Sequence, residues 1–294
     1  MIYFIVNSLA GGGKGEEAKN NLEKALSDYS GRYEIHITLY PKHAIELAAQ
    51  LSAKADCEGI VAMGGDGTFS EVLNGIDLSK PLGLIPCGTG NDFAHGAGID
   101  NNVVEGIKAV FGGKTQHIDY ITVGEKRCLN ITGTGFDVDI LAREAKYRQK
   151  WKSKLTYYAA LFVSILSIKF RKIHLKIDDT INIDTDMLIM VAANGKFFGG
   201  GMPMVPSAIT NDGFMDVLLV HRVPWYAIPK LLLCFLNGKI EQQKKYVDIY
   251  HCKKIECSVD GSNDIEIDGE VSQSLPATIK ICSNELRLFV KEEK

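Results

Sequence analysis

The sequence predicts an α/β N-terminal lobe with a doubly wound parallel sheet over residues 1–122, followed by a β-sandwich-rich lobe over residues 123–294. Three observations carry this. In the first part short apolar runs alternate with segments of helical spacing; from about residue 125 the rhythm becomes strand-rich; and 294 residues suffice for two cores.

IYFIV (2–6) reads as a buried strand, and the glycine loop NSLAGGGKG leads from it into a helix over EEAKNNLEKALSDY. YEIHITLY (33–40) alternates as a strand does, and HAIELAAQLSAK has helical spacing. GIVAM (59–63), TFSEVLNGI, PLGLIPC (81–87) and NNVVEGIKAVFGG continue the series as strand, helix, strand and helix. In the second lobe RCLNITGTG, IHLKID, DMLIMVAAN, FMDVLLVH, KKIECSV, DIEIDG and ATIKIC read as strands, with helices near 138–169 and 224–237. The terminal NELRLFV either stays in that lobe or returns to the first sheet. The long helical stretch holds Trp151, Tyr157, Tyr158 and Phe162, which read as core; with PWYAIPKLLLCFL (224–236) it could instead supply an apolar surface for acyl chains.

Composition removes several classes. A net charge of −3 leaves no electrostatic footprint for nucleic acid. Seven scattered cysteines without a C-x-x-C pair argue against a disulfide framework or a zinc site, and a reducing cytoplasm fits them. The seven histidines show no metal-ligand spacing. The N-terminus has no basic signal region, and the apolar stretch 155–170, bracketed by Lys154, Lys169, Arg171 and Lys172, is shorter than a transmembrane span. Nothing in the sequence sets the oligomeric state, and a homodimer is compatible with it.

Three glycine loops leave strands of the first lobe: NSLAGGGKG (7–15), GGDGT (64–68) and CGTGND (87–92). In an open α/β sheet such loops gather at the carboxyl edge, where amides free of a Cβ can meet an anion. None matches G-x-x-x-x-G-K-[ST] or G-x-G-x-x-G. Asp66 stands between Gly65 and Gly67, where its charge would repel phosphate unless a divalent cation mediates; the alternative is a turn or N-cap residue. Glu71 and Asn74 share a helix face, as ligand groups or as its solvated edge.

GGDGTFSEVLNGI followed by PCGTGNDFAHG resembles the signature of the diacylglycerol kinase catalytic-domain superfamily, in particular the bacterial YegS-like lipid kinases. GGGMPMVPSAITNDGFMDVLLV (199–220) and EIDGE (266–270) are similar to that family's second-lobe motifs in the same order, so the resemblance covers nearly the whole chain. It implies a first lobe of the NAD-kinase and phosphofructokinase type, ATP as phosphoryl donor, Mg²⁺, and a lipid substrate met at the membrane surface. For site residues it implies Gly64, Gly65, Asp66, Gly67, Thr68, Phe69 and Ser70 on the phosphates, with Asn7, Thr38 and Thr89 completing the nucleotide site. It further implies a magnesium site at the Asp212 carboxylate and the main-chain oxygens of Ile209 and Phe214, with Glu270 as catalytic base beside Asp66. The first loop reads Asn7-Ser8-Leu9-Ala10-Gly11 where the family has N-P-x-S-G, and Lys42-His43-Ala44 replaces its G-H-A or G-D-A. Glu270 also has a bland account, since Asp-Gly before it is a common hairpin turn.

The expected function is therefore phosphoryl transfer from ATP to a hydroxyl of a diacylglycerol-like lipid by a cytoplasmic, membrane-peripheral enzyme. The rivals are an NAD kinase, which shares GGDGT, and a non-catalytic lipid- or nucleotide-binding regulator.

Overall fold

Strands β1 (Ile2–Val6), β2 (Tyr33–Ile37), β3 (Gly59–Gly64) and β4 (Leu82–Pro86) pair in parallel in the order β2-β1-β3-β4. The computed structural model describes residues 1–12, 14–27, 29, 31–148, 163–165 and 167–291. Side chains along β1 alternate between two cores, because successive residues of a strand point to opposite faces. Tyr3 and Ile5 pack with α2 (His43–Ser52) and α3 (Asp66–Gly75), whereas Ile2, Phe4 and Val6 pack with α1 (Lys14–Leu26) and α5 (Val103–Gly112). The lobe is thus doubly wound. The chain leaves β1 for β2 on one side and returns to β3 on the other, so the topological switch point lies between β1 and β3, under the first two glycine loops.

The second lobe is antiparallel. Strands β7 (Ile131–Gly135), β8 (Arg171–Ile177), β9 (Ile181–Ala193), β12 (Met215–His221), β13 (Val247–Cys252), β14 (Lys254–Val259) and β15 (Asp264–Ile267) carry most of it. Met190 and Ala192 of β9 face one core with Val217, Ile255 and Ile279; Ile189, Val191 and Ala193 face a second core that includes Leu231 of helix α7 (Ile228–Leu236). Between β7 and β8, α6 (Phe136–Arg148) and the helical residues 163–165 are described parts of the long helical stretch. Trp151, Tyr157, Tyr158, Phe162 and most of 155–170 lie outside the described residues.

The terminal NELRLFV returns to the first sheet, as the far end of one long strand that starts in the second lobe. β17 (Ala277–Phe289) begins against β14 and ends in parallel with β4, Leu288 opposite Leu82, pairing along its length with β5 (Thr115–Val123). Leu286 and Leu288 are buried in the core of the first lobe. Strands β5 and β13 and the short β10 (Phe197–Phe198), β11 (Met202–Pro203) and β16 (Glu270–Gln273) are additions to the elements expected, β6 (Lys126–Cys128) pairs with β5, and Trp225–Ala227 forms a 3-10 turn ahead of α7. All seven cysteines are free. No helix among the described residues is long and apolar enough to cross a membrane.

Candidate active site

The first two glycine loops are tied to each other at the switch point. Asn7 Nδ2 donates to Thr68 Oγ1 at 3.1 Å, and Asn7 Oδ1 accepts the Leu9 amide. The glycines of the second and third loops divide by task. A Cβ at Gly64 would lie 2.3 Å from Thr68 Oγ1, and one at Gly88 would lie 2.4 Å from Gly65 Cα, so these glycines permit close loop packing. A Cβ at Gly67 meets nothing within 4 Å, and Gly67 lines the open cleft.

Asp66 is the first residue of α3, whose N-cap is Gly65. Its carboxylate does not cap its own helix. Oδ1 accepts the Phe93 amide at 3.3 Å, at the start of α4 (Asp92–Gly96) in the third loop. Burial, and next the charge of Asp92, push Asp66 up to about 6. A cation would relieve both effects, so Asp66 suits a divalent metal ligand.

Two clamps join the lobes around the cleft. Asp92 accepts the amides of Gly200 (2.9 Å to Oδ2) and Gly201 (2.6 Å to Oδ1), with Gly200 and Gly201 at φ 92° and 98°. Asn74 Nδ2 donates to the Arg127 carbonyl at 2.7 Å and Asn74 Oδ1 accepts the Arg127 amide at 2.9 Å, while Arg127 Nη1 reaches the Leu73 and Ile76 carbonyls. Asn74 is therefore a lobe contact. Glu71 accepts the Lys42 and Ala44 amides at 3.1 and 3.3 Å, capping α2 from the neighbouring helix. Neither residue is a merely solvated edge.

The opposite wall is the β15–β16 hairpin. Asp268 and Gly269, at φ 48° and 85°, form its two-residue turn, as favoured primed turns require. Asp268 also accepts the Leu129 and Asn130 amides, each at 2.9 Å, which fixes the turn against the loop before β7. Glu270 follows, exposed at the start of β16. The turn and a cleft position thus coexist.

The cleft encloses about 920 Å³ and brings together Gly11, Gly12, Asp66, Gly67, Phe69, Thr89, Asp92, Glu144 and Glu270, with Leu129, Ile131, Leu141 and Phe198 as an apolar flank. Asn7, Thr38, Gly64, Gly65, Thr68 and Ser70 are not among its lining residues. Thr38 continues β2, its amide bonded to the Val6 carbonyl, and Asn7 and Thr68 act on each other. Behind Phe198 lies a smaller cavity of about 110 Å³, lined by Phe136, Asp137, Leu188, Met204, Ile228, Leu231 and Phe235 among others. Asp92 and the Gly199–Gly201 loop were visible as sequence motifs, but their pairing across the lobes had no local signal.

Asp212 is exposed. Oδ1 accepts the Phe214 amide at 3.0 Å and Oδ2 lies 3.7 Å from His251 Nε2. Gly213 donates to Asp119 Oδ2 at 2.7 Å. Among the described residues no three His, Cys, Asp or Glu side chains converge as a metal set. A site here would rest on Asp212 with main-chain oxygens, the donor type that hard cations prefer.

Two family models match the chain: the diacylglycerol kinase catalytic domain over residues 1–123 and the YegS C-terminal NAD kinase beta sandwich-like domain over residues 130–290. The chain belongs to the YegS-like branch of the diacylglycerol kinase catalytic-domain superfamily. Among curated relatives of this family, Staphylococcus aureus (strain MRSA252) "Putative lipid kinase SAR0780" is 26% identical over 252 residues, 84% of this chain and 82% of the relative. A crystal structure titled as a diacylglycerol kinase from Bacillus anthracis str. Sterne superposes with a TM-score of 0.80 at 21% identity, covering 99% of this chain and 96% of that one. An NAD kinase from Archaeoglobus fulgidus, in complex with ATP, shares the fold more distantly: TM-score 0.52 at 16% identity, covering 99% and 94%. The YegS-like kinase fold, with an NAD-kinase-like first lobe and a β-sandwich-like second, is the architecture expected from the sequence.

Proposed function

We propose that this kinase-family protein transfers the γ-phosphoryl of ATP to a hydroxyl of a diacylglycerol-like lipid. The observation that carries the reading is that Asp66 and Gly67 on one lobe and Glu270 on the other line a single cleft. On this reading the glycine-loop amides bind the phosphates, Thr89 stands beside them, and Asp66 would hold Mg²⁺. Bound Mg²⁺ would neutralise charge on the transferring phosphoryl group. Glu270 takes the proton of the attacking hydroxyl, a role suited to a carboxylate within reach of the acceptor.

The apolar cavity behind Phe198 supports a lipid acceptor, since it offers room for part of an acyl chain next to the cleft. Helix α7 lines it with Ile228, Leu231 and Phe235, and turns Leu233 outward, 61% exposed. Trp225 and Tyr226 beside it are 81% and 66% exposed, and residues 222–246 carry Arg222, Lys230, Lys239, Lys244 and Lys245 against the single acid Glu241. Aromatic anchors among cations suit an anionic membrane surface, so the enzyme would act as a cytoplasmic, membrane-peripheral protein.

The deciding experiment is phosphorylation with [γ-³²P]ATP of diacylglycerol, monoacylglycerol, phosphatidylglycerol, sphingosine, undecaprenol and NAD, with the lipids in anionic mixed micelles. Label in a glycerolipid is expected. Label in NAD alone selects the second reading, an NAD kinase, which the likeness of fold keeps in view. A magnesium site at Asp212 would make Mg²⁺ without nucleotide raise the Tm of the wild type and not of Asp212→Ala.

A further inference from the structure

Beneath the hairpin that carries Glu270 lie two carboxyl groups with no part in the reading above. Glu266 on β15 is fully buried, and Asp137, second residue of α6, is 2% exposed. One oxygen of each has an amide partner: Gly269 donates to Glu266 Oε2 and Val138 to Asp137 Oδ1, both at 2.8 Å. The other oxygens, Glu266 Oε1 and Asp137 Oδ2, are buried without a hydrogen-bond partner among the described residues.

Register makes them neighbours. Gly133 on β7 stands opposite Glu266, and a Cβ at Gly133 would fall 2.5 Å from Asp137 Oδ2. Asp137 therefore occupies the space that a side chain at Gly133 would fill, on the face of the sheet that Glu266 shares.

Among the described residues, the charged groups around the pair do not neutralise it. Arg171 on β8 is bound by both oxygens of Asp139, at 2.7 and 3.1 Å. Asp268 is spent on the Leu129 and Asn130 amides and on the Cys128 thiol, itself held protonated by burial. The Thr132 and Thr134 hydroxyls donate to the main-chain oxygens of Glu266 and Asp264. Asp137 also lines the apolar cavity, a poor place for a charge. Burial pushes Asp137 up to about 7, and burial with the charge of Asp137 lifts Glu266 well above the ordinary carboxyl range. Two such neighbouring buried groups do not both ionise at neutral pH.

We propose that Asp137 and Glu266 share one proton between Oδ2 and Oε1, and that this bond, with the Gly269 amide on the far oxygen of Glu266, positions the hairpin that presents Glu270. The pair are positioning residues; their proton is not transferred during turnover. The positioning half rests on Glu270 being the base, whereas the shared proton does not.

Infrared spectroscopy and pH profiles separate the two halves. At neutral pH the wild type is expected to show the carbonyl stretch of a protonated carboxyl that is lost in the Glu266→Gln/Asp137→Asn double variant. A spectrum identical in both overturns the shared proton, whether or not any lipid is phosphorylated. If the positioning holds, wild-type kcat falls at alkaline pH as the proton leaves and two carboxylates repel. Glu266→Gln, whose amide can donate to Asp137 and still accept from Gly269, should keep its kcat to higher pH. Glu266→Leu should lower kcat about 10- to 100-fold with the KM for ATP unchanged, the scale of a displaced catalytic group. An alkaline limb that Glu266→Gln does not move overturns the positioning role. Absence of phosphoryl transfer with the infrared signal intact would instead overturn the kinase reading.

Discussion

The two walls of the cleft treat their carboxyl groups differently. On the first-lobe wall Asp66 and Asp92 are engaged by main-chain amides, from Phe93 and from Gly200 and Gly201. On the second-lobe wall Asp137 and Glu266 each keep a buried oxygen without a partner among the described residues, and Glu270 is exposed at the start of β16. In the first arrangement burial and the neighbouring Asp92 charge raise Asp66 to about 6, a cost that a cation beside phosphates would relieve; in the second, the proposed shared proton sits under the hairpin that presents Glu270. On the proposed reading, the cation beside the phosphates and the proton acceptor fall to separate lobes, and each can be broken without the other.

The largest expected effect comes from the second wall. Glu270→Gln keeps shape and cannot take a proton, so kcat should fall by about 10² to 10⁴, or about 3 to 5 kcal/mol of barrier, with ATP binding intact. A purely structural turn residue would lower Tm and leave turnover per folded molecule near normal; kcat and Tm on one preparation decide between them. On the first wall the complementary change is Gly67→Val. Its branched side chain would enter open cleft space, and valine is no worse than glycine in a helix. Mg-ATP affinity by calorimetry should drop at least about tenfold, roughly 1.4 kcal/mol, with Tm unchanged. Unaltered affinity would remove Gly67 from the phosphate site.

The pH dependence of stability tests the second wall without any substrate. Asp137 rises from an ordinary 3.8 to about 7 on folding, so the folded state holds a proton that the unfolded chain has released. The associated stability is complete below about pH 4 and is lost as pH rises through 7. Asp137→Asn should flatten this fall in urea midpoints measured from pH 4 to pH 8. Equal slopes in the two proteins would place no excess proton on Asp137.

These walls were not equally readable in the sequence. The first was, because glycine loops at strand ends are local patterns: the alternation of strands and helices gave the doubly wound sheet, and GGDGT and GTGND marked its ligand edge. Asn7 and Thr68, expected on the nucleotide, bond each other and do not line the cleft; a motif tells which loops converge and not which atoms point into the space between them. The second wall depends on long-range register. Glu266 and Asp137 are 129 positions apart, and only the pairing of β7 with β15 sets them together. The final strand was ambiguous for the same reason: Leu286 and Leu288 bury in the first lobe, while Ile279, in the same strand, buries in the second.

The smallest expected effect concerns Glu71, which lies on the GGDGT helix yet caps a different one. Its carboxylate meets the Lys42 and Ala44 amides where α2 begins, and Lys42 sits at φ 70°, outside the helical range, so the helix has no cap from its own N-cap side chain. Replacing a capping acceptor by alanine costs about 0.5 to 2 kcal/mol, and the negative charge near the positive end of α2 adds a few tenths more. Glu71→Ala should therefore lower the urea midpoint modestly, and Glu71→Gln, which retains one acceptor oxygen, should recover part of the loss. Because Glu71 does not line the cleft, Mg-ATP affinity should stay within about twofold of the wild type, well below the tenfold change expected at Gly67. If Glu71→Ala weakens Mg-ATP as strongly as Gly67→Val does, α3 transmits strain from α2 to the GGDGT loop, and the first wall would depend on the helix behind it as the second depends on its buried carboxyls.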